Sequence, residues 1–344
     1  MIRFECDYSE GAHPVILDLL AKTNLEQTPG YSEDPYCEEA RALVRAYCNA
    51  PDAAIHFLVG GTQANVTIIA SVLKPYQGVL CAETGHIHVH ETGAVEATGH
   101  KALALPQTDG KITAAQVEAA YLKQKNDGSH EHIVQPGMVY ISHPTECGTL
   151  YTKEELTALS ETCRKCGLPL FLDGARLGYG LASPGSDLSA EDVATLCDIF
   201  TVGGTKVGAL FGEAVVITNP ALQKDFRYMI KRQGGMLAKG RLLGLQFIGL
   251  MKDGLYEALG KKADLLALQI KDGFAAAGCD FLVDSVTNQQ FPILTRQQQE
   301  ILGKKYAYSY WQPVDDGRDA VRFCTSWATK EEDVEELLKD IQNL

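Results

Sequence analysis

Lys206 follows Gly203-Gly204-Thr205 at the end of the apolar run Ile199–Val202, with small neighbours and no adjacent acid. An amine on a short glycine-rich turn in apolar or cationic surroundings loses proton affinity and can attack a carbonyl. Asp173 ends the apolar run Leu170–Leu172 and opens Asp173-Gly174-Ala175-Arg176. A carboxylate left unpaired there is costly, so it needs a cation, and Arg176 is near in sequence. Gly60-Gly61-Thr62 follows Ile55–Val59 and leads into a helical pattern. The glycines let the backbone turn and approach a ligand, Thr62 is placed to cap the helix, and free N–H groups at a helix start favour a phosphate. The turn lacks the third glycine of a dinucleotide fingerprint and the lysine of a P-loop.

His86, His88 and His90 follow Glu83-Thr84-Gly85. If a helix starts here, His86 and His90 share one face and His88 points away, so no metal-binding set results. One histidine presenting a flat ring to the site is the more economical reading. Glu146 lies in the polar turn His143-Pro144-Thr145-Glu146-Cys147-Gly148, just after Met138–Ser142. Taken singly, each feature also has a plain structural reading: a capped turn, an ion pair, a solvated lysine. Taken in order, they are the parts that pyridoxal 5′-phosphate requires. The lysine forms a Schiff base, the acid keeps the pyridine nitrogen protonated, the helix start takes the phosphate, and the flat ring stacks. An acid–pyridinium contact at ~4 Å has a Coulomb energy of about 4 kcal/mol at an effective dielectric of 20.

Such residues must be held at strand ends. Seven apolar, β-rich runs are expected as strands: Ile55–Val59, Val79–Ala82, Ala102–Leu105, Met138–Ser142, Leu170–Asp173, Ile199–Val202 and Ala214–Thr218. Helical patterns such as Gln63–Leu73, Ala114–Lys123 and Lys153–Cys166 separate most of them. Alternation of this kind predicts an α/β fold with a mostly parallel seven-stranded sheet flanked by helices, and continuous apolar runs fit a sheet buried on both faces. In such sheets the site lies beyond the carboxyl ends of the strands.

After residue 240 the pattern changes to long helices, Arg241–Met251 and Leu255–Ala277, then short strands around Phe281, Phe291–Leu294 and Val321–Thr325, and a final amphipathic helix, Glu331–Asn343. Residues 1–240 are therefore read as a large domain and 241–344 as a smaller α+β domain. Residues 1–40 lack a sheet pattern and are expected to pack on the other parts, across a subunit interface included.

The 344-residue chain carries a formal net charge of −13, with no basic run, which argues against nucleic acid or anionic membrane as a partner. No signal-like segment or apolar run of ~18 residues is read, and ten cysteines then fit reduced thiols in a cytoplasm. Cys163-x-x-Cys166 is the one close pair. It lies late in a predicted helix without a second pair, so two unpaired thiols are expected and no metal site.

The chain resembles the low-specificity threonine aldolases of the β-eliminating lyase group. The resemblance rests on Phe4-Glu-Cys-Asp-Tyr-Ser-Glu-Gly-Ala-His-Pro, Tyr31-Ser-Glu-Asp-Pro, Gly60-Gly-Thr-Gln-Ala-Asn, Glu83-Thr-Gly-His, Pro144-Thr-Glu-Cys-Gly, Asp173-Gly-Ala-Arg, Gly203-Gly-Thr-Lys and Val321-Arg-Phe. It implies the pyridoxal-phosphate fold type I and retro-aldol cleavage of β-hydroxy-α-amino acids, with another β-eliminating lyase or an aminotransferase as the alternative on the same fold. It implies Lys206 as the Schiff-base lysine, Asp173 at the pyridinium, Gly61 and Thr62 at the phosphate, and His86 stacked on the ring. Arg176 and Arg322 would hold the substrate carboxylate, with Tyr31 reaching the site from a neighbouring subunit. Lys231 and Lys239, around Gly234-Gly235-Met236, resemble a basic loop that reaches a partner's phosphate. A homotetramer, as a dimer of dimers with sites between subunits, is implied as well. Two departures stand out. Cys6 occupies a position where many relatives carry a carboxylate-binding serine, and a thiol is the weaker donor. Glu146 stands where some relatives carry histidine near the β-hydroxyl. His86, acting through a water, ranks first as the general base, ahead of Glu146 or a bound water alone.

Overall fold

The computed structural model describes all 344 residues. Its largest layer is a seven-stranded sheet: β1 (Ala54–Leu58), β2 (Gln77–Ala82), β3 (Lys101–Leu105), β4 (Gln135–Ser142), β5 (Leu170–Asp173), β6 (Ile199–Gly203) and β7 (Glu213–Ile217). The spatial order is β1-β7-β6-β5-β4-β2-β3. Every neighbouring pair from β6 to β3 is parallel, whereas β7 runs antiparallel to both β1 and β6. The expected strands are all present, with ends shifted by a few residues. The first residue of β7 therefore lies at the same sheet edge as the last residues of β1 and β6.

Both faces of the sheet are covered, which is why the strands read as unbroken apolar runs. Leu80, Val139, Leu172, Phe200 and Val216 face one core. Val79, Met138, Phe171, Ile199 and Val215 face the other, against Ala64 and Ile68 of helix α1 (Gly61–Val72). Truncating the fully buried Phe171 to Ala would cost ~3–5 kcal/mol. The helix Lys153–Cys166 begins at a Thr152–Glu155 capping box and stops at Gly167 in the left-handed conformation, as its sequence predicts. Cys163 and Cys166 are free thiols buried on its inner face.

The smaller sheet is built from β8 (Gln289–Gln290), β9 (Ile293–Thr295), β10 (Ser309–Asp315) and β11 (Arg318–Cys324). Phe281 forms only an isolated bridge to Pro292. The strand β10 was not expected from sequence. Its residues are mostly exposed, so no apolar run marks it. Its core combines Leu266, Ile270 and Phe274 of the long helix α3 (Leu255–Ala276) with Val334, Leu337 and Ile341 of the last helix.

Two segments lie elsewhere than the sequence border at residue 240 suggests. Helix α2 (Arg241–Met251) contributes Leu243, Phe247, Ile248 and Leu250 to the large sheet's core, so residues 241–251 pack with the large domain. At the other end, Ile2–Arg3 pairs in parallel with Tyr306–Ala307, and Phe4 is buried in the small core. The N-terminal strand thus anchors in the small domain and delivers Cys6, Asp7 and Tyr8 to the junction between domains.

Candidate active site

The carboxyl ends of β1, β5 and β6 and the start of β7 surround a cavity of about 290 Å³. It is lined by Gly60, Gly61, Thr62, His86, Asp173, Arg176 and Lys206, among others. A second cavity of about 660 Å³ shares Tyr8, His86, Glu146, Arg176 and Lys206 with the first and adds Arg322, Trp311 and His90. Sequence reasoning scattered these residues over the chain, and strand order collects them.

At the β1 end, the helix starts one residue before the expected cap. Gly60 is the N-cap, Gly61 is the first helical residue, and no side chain caps the helix. Thr62 therefore does not cap; it sits in the first turn. The amides of a 12-residue helix are left free to face the cavity, which is the arrangement that binds anions. Gly60 has φ −170°, extended backbone open to any residue, so these glycines are not needed for a turn. A Cβ at either would meet no atom within 4 Å: the glycines keep the cradle empty.

Asp173 is buried and is not paired with Arg176 as its sequence neighbourhood suggested. Its Oδ2 accepts hydrogen bonds from Tyr140 Oη at 2.7 Å and Asn65 Nδ2 at 3.0 Å, and its Oδ1 from Ala175 N at 2.9 Å. These donors fix the carboxylate while leaving it a charge to offer to a cation in the cavity. Arg176 instead makes a two-point pair with Asp7, Nε to Oδ2 at 2.6 Å and Nη2 to Oδ1 at 3.0 Å. Burial would raise the Asp7 carboxyl, but the charges of Arg176 and Lys206 and the hydrogen bonds from Arg176 and Asn288 hold it down to about 2. Arg176 is raised from its ordinary value by Asp7 against the opposing effect of burial. Asn288 Nδ2 also donates to Asp7 Oδ2, at 2.9 Å, so the small domain helps set this pair.

His86 Nδ1 lies 2.7 Å from Glu91 Oε1, and Asn65 Nδ2 donates to the same oxygen at 2.7 Å. Asn65 thereby ties Glu91 to Asp173. Glu146 Oε1 accepts from Ser142 Oγ at 2.6 Å and from His86 N at 2.8 Å. Burial raises the Glu146 carboxyl above its ordinary value despite those donors. The amine of Lys206 is lowered, first by burial and then by the Arg176 charge, and it forms no hydrogen bond or ion pair. Its backbone is pinned through Tyr179, whose hydroxyl donates to the Lys206 carbonyl. Arg322 stacks on Trp311 at 5.5 Å, and its Nη atoms donate to Gln289 Oε1 at 3.2 Å and the Glu5 carbonyl at 3.1 Å; its buried Nε has no partner.

Four expected residues, Cys6, Tyr31, Lys231 and Lys239, lie outside these cavities. Cys6 contacts Ser9 Oγ at 3.1 Å and lines neither cavity; its neighbour Tyr8 lines both. Tyr31 and Lys231 come together elsewhere, with Lys231 Nζ 5.1 Å from the Tyr31 ring centre. Tyr31 is 45 % exposed and takes φ 59°, a left-handed conformation that Arg227 braces by donating to its carbonyl at 3.2 Å. Sequence reasoning in turn missed Asp7, Asn65, Glu91, Tyr140 and Glu213. Asn65, Glu91 and Glu213 stand beside a turn or strand already singled out, Tyr140 lies inside β4, and Asp7, in the segment without a sheet pattern, carried no local signal.

A free helix start, a carboxylate fixed by three donors and an unpaired buried amine fit pyridoxal 5′-phosphate in donor chemistry and in space. Together with the mostly parallel sheet, they define an α/β enzyme of the pyridoxal-phosphate fold type I. Residues 8–305 match the beta-eliminating lyase family, and the chain belongs to it. This family of lyases uses pyridoxal phosphate. The chain is 30 % identical to a low specificity L-threonine aldolase of Pseudomonas sp. (strain NCIMB 10558), over 99 % of this chain and 97 % of that one. It superposes on a threonine aldolase of Leishmania major with a TM-score of 0.97 and 43 % identity, covering 100 % of this chain and 99 % of that one. An aspartate aminotransferase of Thermus thermophilus shares the fold, with a TM-score of 0.72 at 13 % identity, over 100 % and 91 % of the two chains. No helix is long and apolar enough to cross a membrane.

Proposed function

We propose that the protein cleaves L-threonine, L-allo-threonine and related β-hydroxy-α-amino acids to glycine and an aldehyde by retro-aldol chemistry. The observation that carries this reading is the join between two cavities. The unpaired amine of Lys206, fixed Asp173 and free helix start share one cavity, which opens into a second bearing Arg322, with Arg176 lining both.

Bound pyridoxal phosphate supplies the electron sink for the Cα–Cβ bond pair. Lys206 would hold the cofactor through its amine. Asp173 would face the pyridine nitrogen and favour its charged form, and Tyr140 and Asn65 keep Asp173 in place. Arg176 has two of its nitrogens engaged by Asp7, which leaves Nη1 for the substrate carboxylate; Arg322 takes the other carboxylate oxygen. Fixing the carboxylate would orient the substrate's Cα–Cβ bond for cleavage, and orientation of this kind is worth up to ~7–11 kcal/mol. His86 would cover the cofactor. With Glu91 accepting the Nδ1 hydrogen, Nε2 takes the β-hydroxyl proton, directly or through a water. The raised carboxyl of Glu146 suits a hydrogen-bond donor to the β-hydroxyl better than a base. Tyr31 and Lys231 serve the site of a neighbouring subunit in a homotetramer built as a dimer of dimers, which the exposure and bracing of Tyr31 support. Ten free cysteines suit a reducing cytoplasm.

The test is product analysis. Incubation with L-threonine is expected to yield acetaldehyde and glycine in equal amounts. Formation of 2-oxobutyrate instead would replace this reading with β-elimination.

A further inference from the structure

Glu213 has no part in the cleavage described above. It opens the antiparallel strand β7, paired on one side with Leu58 and on the other with Gly203. Leu58 lies two residues before Gly60, and Gly203 lies three before Lys206. Glu213 thus stands between the anion-binding turn and the lysine loop. It faces the same side of the sheet as Val215, Leu58 and helix α1. Its side chain is 3 % exposed, lines the 290 Å³ cavity with Gly60, Gly61 and Thr62, and leaves Oε2 without a hydrogen-bond partner.

We infer that Glu213 is held uncharged beside the cofactor's phosphate and donates its carboxyl hydrogen toward it, so that the grip on the phosphate weakens when Glu213 ionises. The inference rests on reading the cavity as the pyridoxal-phosphate site. A phosphate monoester carries about −1.5 to −2 charges near pH 7. The only lysine and arginine of this chain that line the cavity are Lys206 and Arg176, and the proposed assembly would add Lys231 of the partner subunit. Lys206 is committed to the cofactor's carbonyl and Arg176 to Asp7. An ionised carboxylate would add like charge in a water-poor space, whereas a carboxylic acid adds a donor. Burial pushes the Glu213 carboxyl up to about 8; the Lys206 charge and the Thr205 hydroxyl oppose this, and the Asp173 charge adds to it. The Tyr256 phenol on α3, whose hydroxyl donates to the Gly203 carbonyl, is raised well above its ordinary value by burial and stays neutral.

The experiment titrates the apoprotein with pyridoxal phosphate and with pyridoxal, which lacks the phosphate, from about pH 7 to about pH 9.5. Both aldehydes consume the Lys206 amine, so the ratio of their dissociation constants isolates the phosphate's share. In the wild type the advantage of pyridoxal phosphate is expected to fall by roughly tenfold per pH unit above about 8. In Glu213→Gln, a neutral isostere that cannot ionise, the ratio is expected to stay flat. A constant wild-type ratio, or a Gln variant that reproduces the wild-type fall, overturns the inference. If Glu213→Gln does not fold, the wild-type ratio alone decides. If neither aldehyde produces a visible absorbance band, the cofactor reading fails and the inference with it, a result distinct from a constant ratio.

Discussion

Nδ1 of His86 lies 2.7 Å from Oε1 of Glu91, whose side chain is fully buried. A buried carboxylate on one ring nitrogen fixes both the tilt of the ring and which nitrogen carries the hydrogen. Asn65 shares its amide between Glu91 and Asp173, so His86 and Asp173 are parts of one hydrogen-bonded chain.

If His86 takes the β-hydroxyl proton, His86→Gln lowers kcat for L-threonine by ~10²–10⁴-fold, the usual contribution of a general base. Glu91→Gln keeps the size of the side chain but reverses the donor pattern at Nδ1, and it is expected to fall between His86→Gln and wild type. Glu146→Gln, which retains a donor, is expected to stay within about tenfold of wild type. Aldehyde-release kinetics on the three variants checks the ranking, and a Glu146 variant slower than the His86 variant would reverse the assignment.

Asp7 occupies two nitrogens of Arg176. Asp7→Ala leaves a buried guanidinium without its partner, a loss of ~3–5 kcal/mol in stability. The KM for threonine is expected to rise more than kcat falls, because the guanidinium loses its aim at the carboxylate. The folded carboxyl, at about 2, lies below its ordinary value of 3.8. The stabilisation from this pair is therefore complete above the ordinary value and is lost as pH falls through about 2. Acid unfolding of wild type and Asp7→Asn, followed by circular dichroism, should show curves that converge at the acid end. Parallel curves would remove Asp7 from the account.

Asn65→Leu removes one donor from Asp173 and one from Glu91. Hydrogen bonds to charged groups contribute ~1.5–3 kcal/mol each, so weaker cofactor retention and a lower melting temperature are expected. Dialysis of the holoenzyme followed by absorbance measures the first, and calorimetry the second.

Tyr31 and Lys231 meet at 5.1 Å on a surface away from the cavity of their own chain. If they complete a neighbouring site, two inactive proteins, Lys206→Ala and Tyr31→Ala, should regain activity when refolded together. Random pairing in a two-fold assembly gives about a quarter of the wild-type rate. No recovery on mixing, with assembly verified by light scattering, contradicts the shared site.

The parallel sheet was legible because its strands are buried on both faces and therefore carry unbroken apolar runs. The gathering of Lys206, Asp173, Gly61 and His86 around one cavity was legible because each stands at or just beyond the carboxyl end of such a run. The exposed strand β10 has no such signature, and the helix Arg241–Met251 is apolar in a way that fits either domain. The partner of Arg176 could not be read locally. Asp7 is 169 residues away and reaches Arg176 only because Ile2–Phe4 is anchored in the small domain. Glu213 was hidden by its strand: in Glu213-Ala-Val-Val-Ile it reads as an acid at a strand edge, and only the antiparallel turn of β7 brings it into the cradle.

The central claim is that the Lys206 amine carries the cofactor, and borohydride reduction of the pyridoxal-phosphate-loaded protein followed by peptide mapping tests it most directly. The account predicts one pyridoxyl label, on the peptide containing Lys206, and a Lys206→Ala protein with neither the label nor significant turnover. A label on another lysine, or a Lys206→Ala protein that cleaves threonine at the wild-type rate, would contradict it.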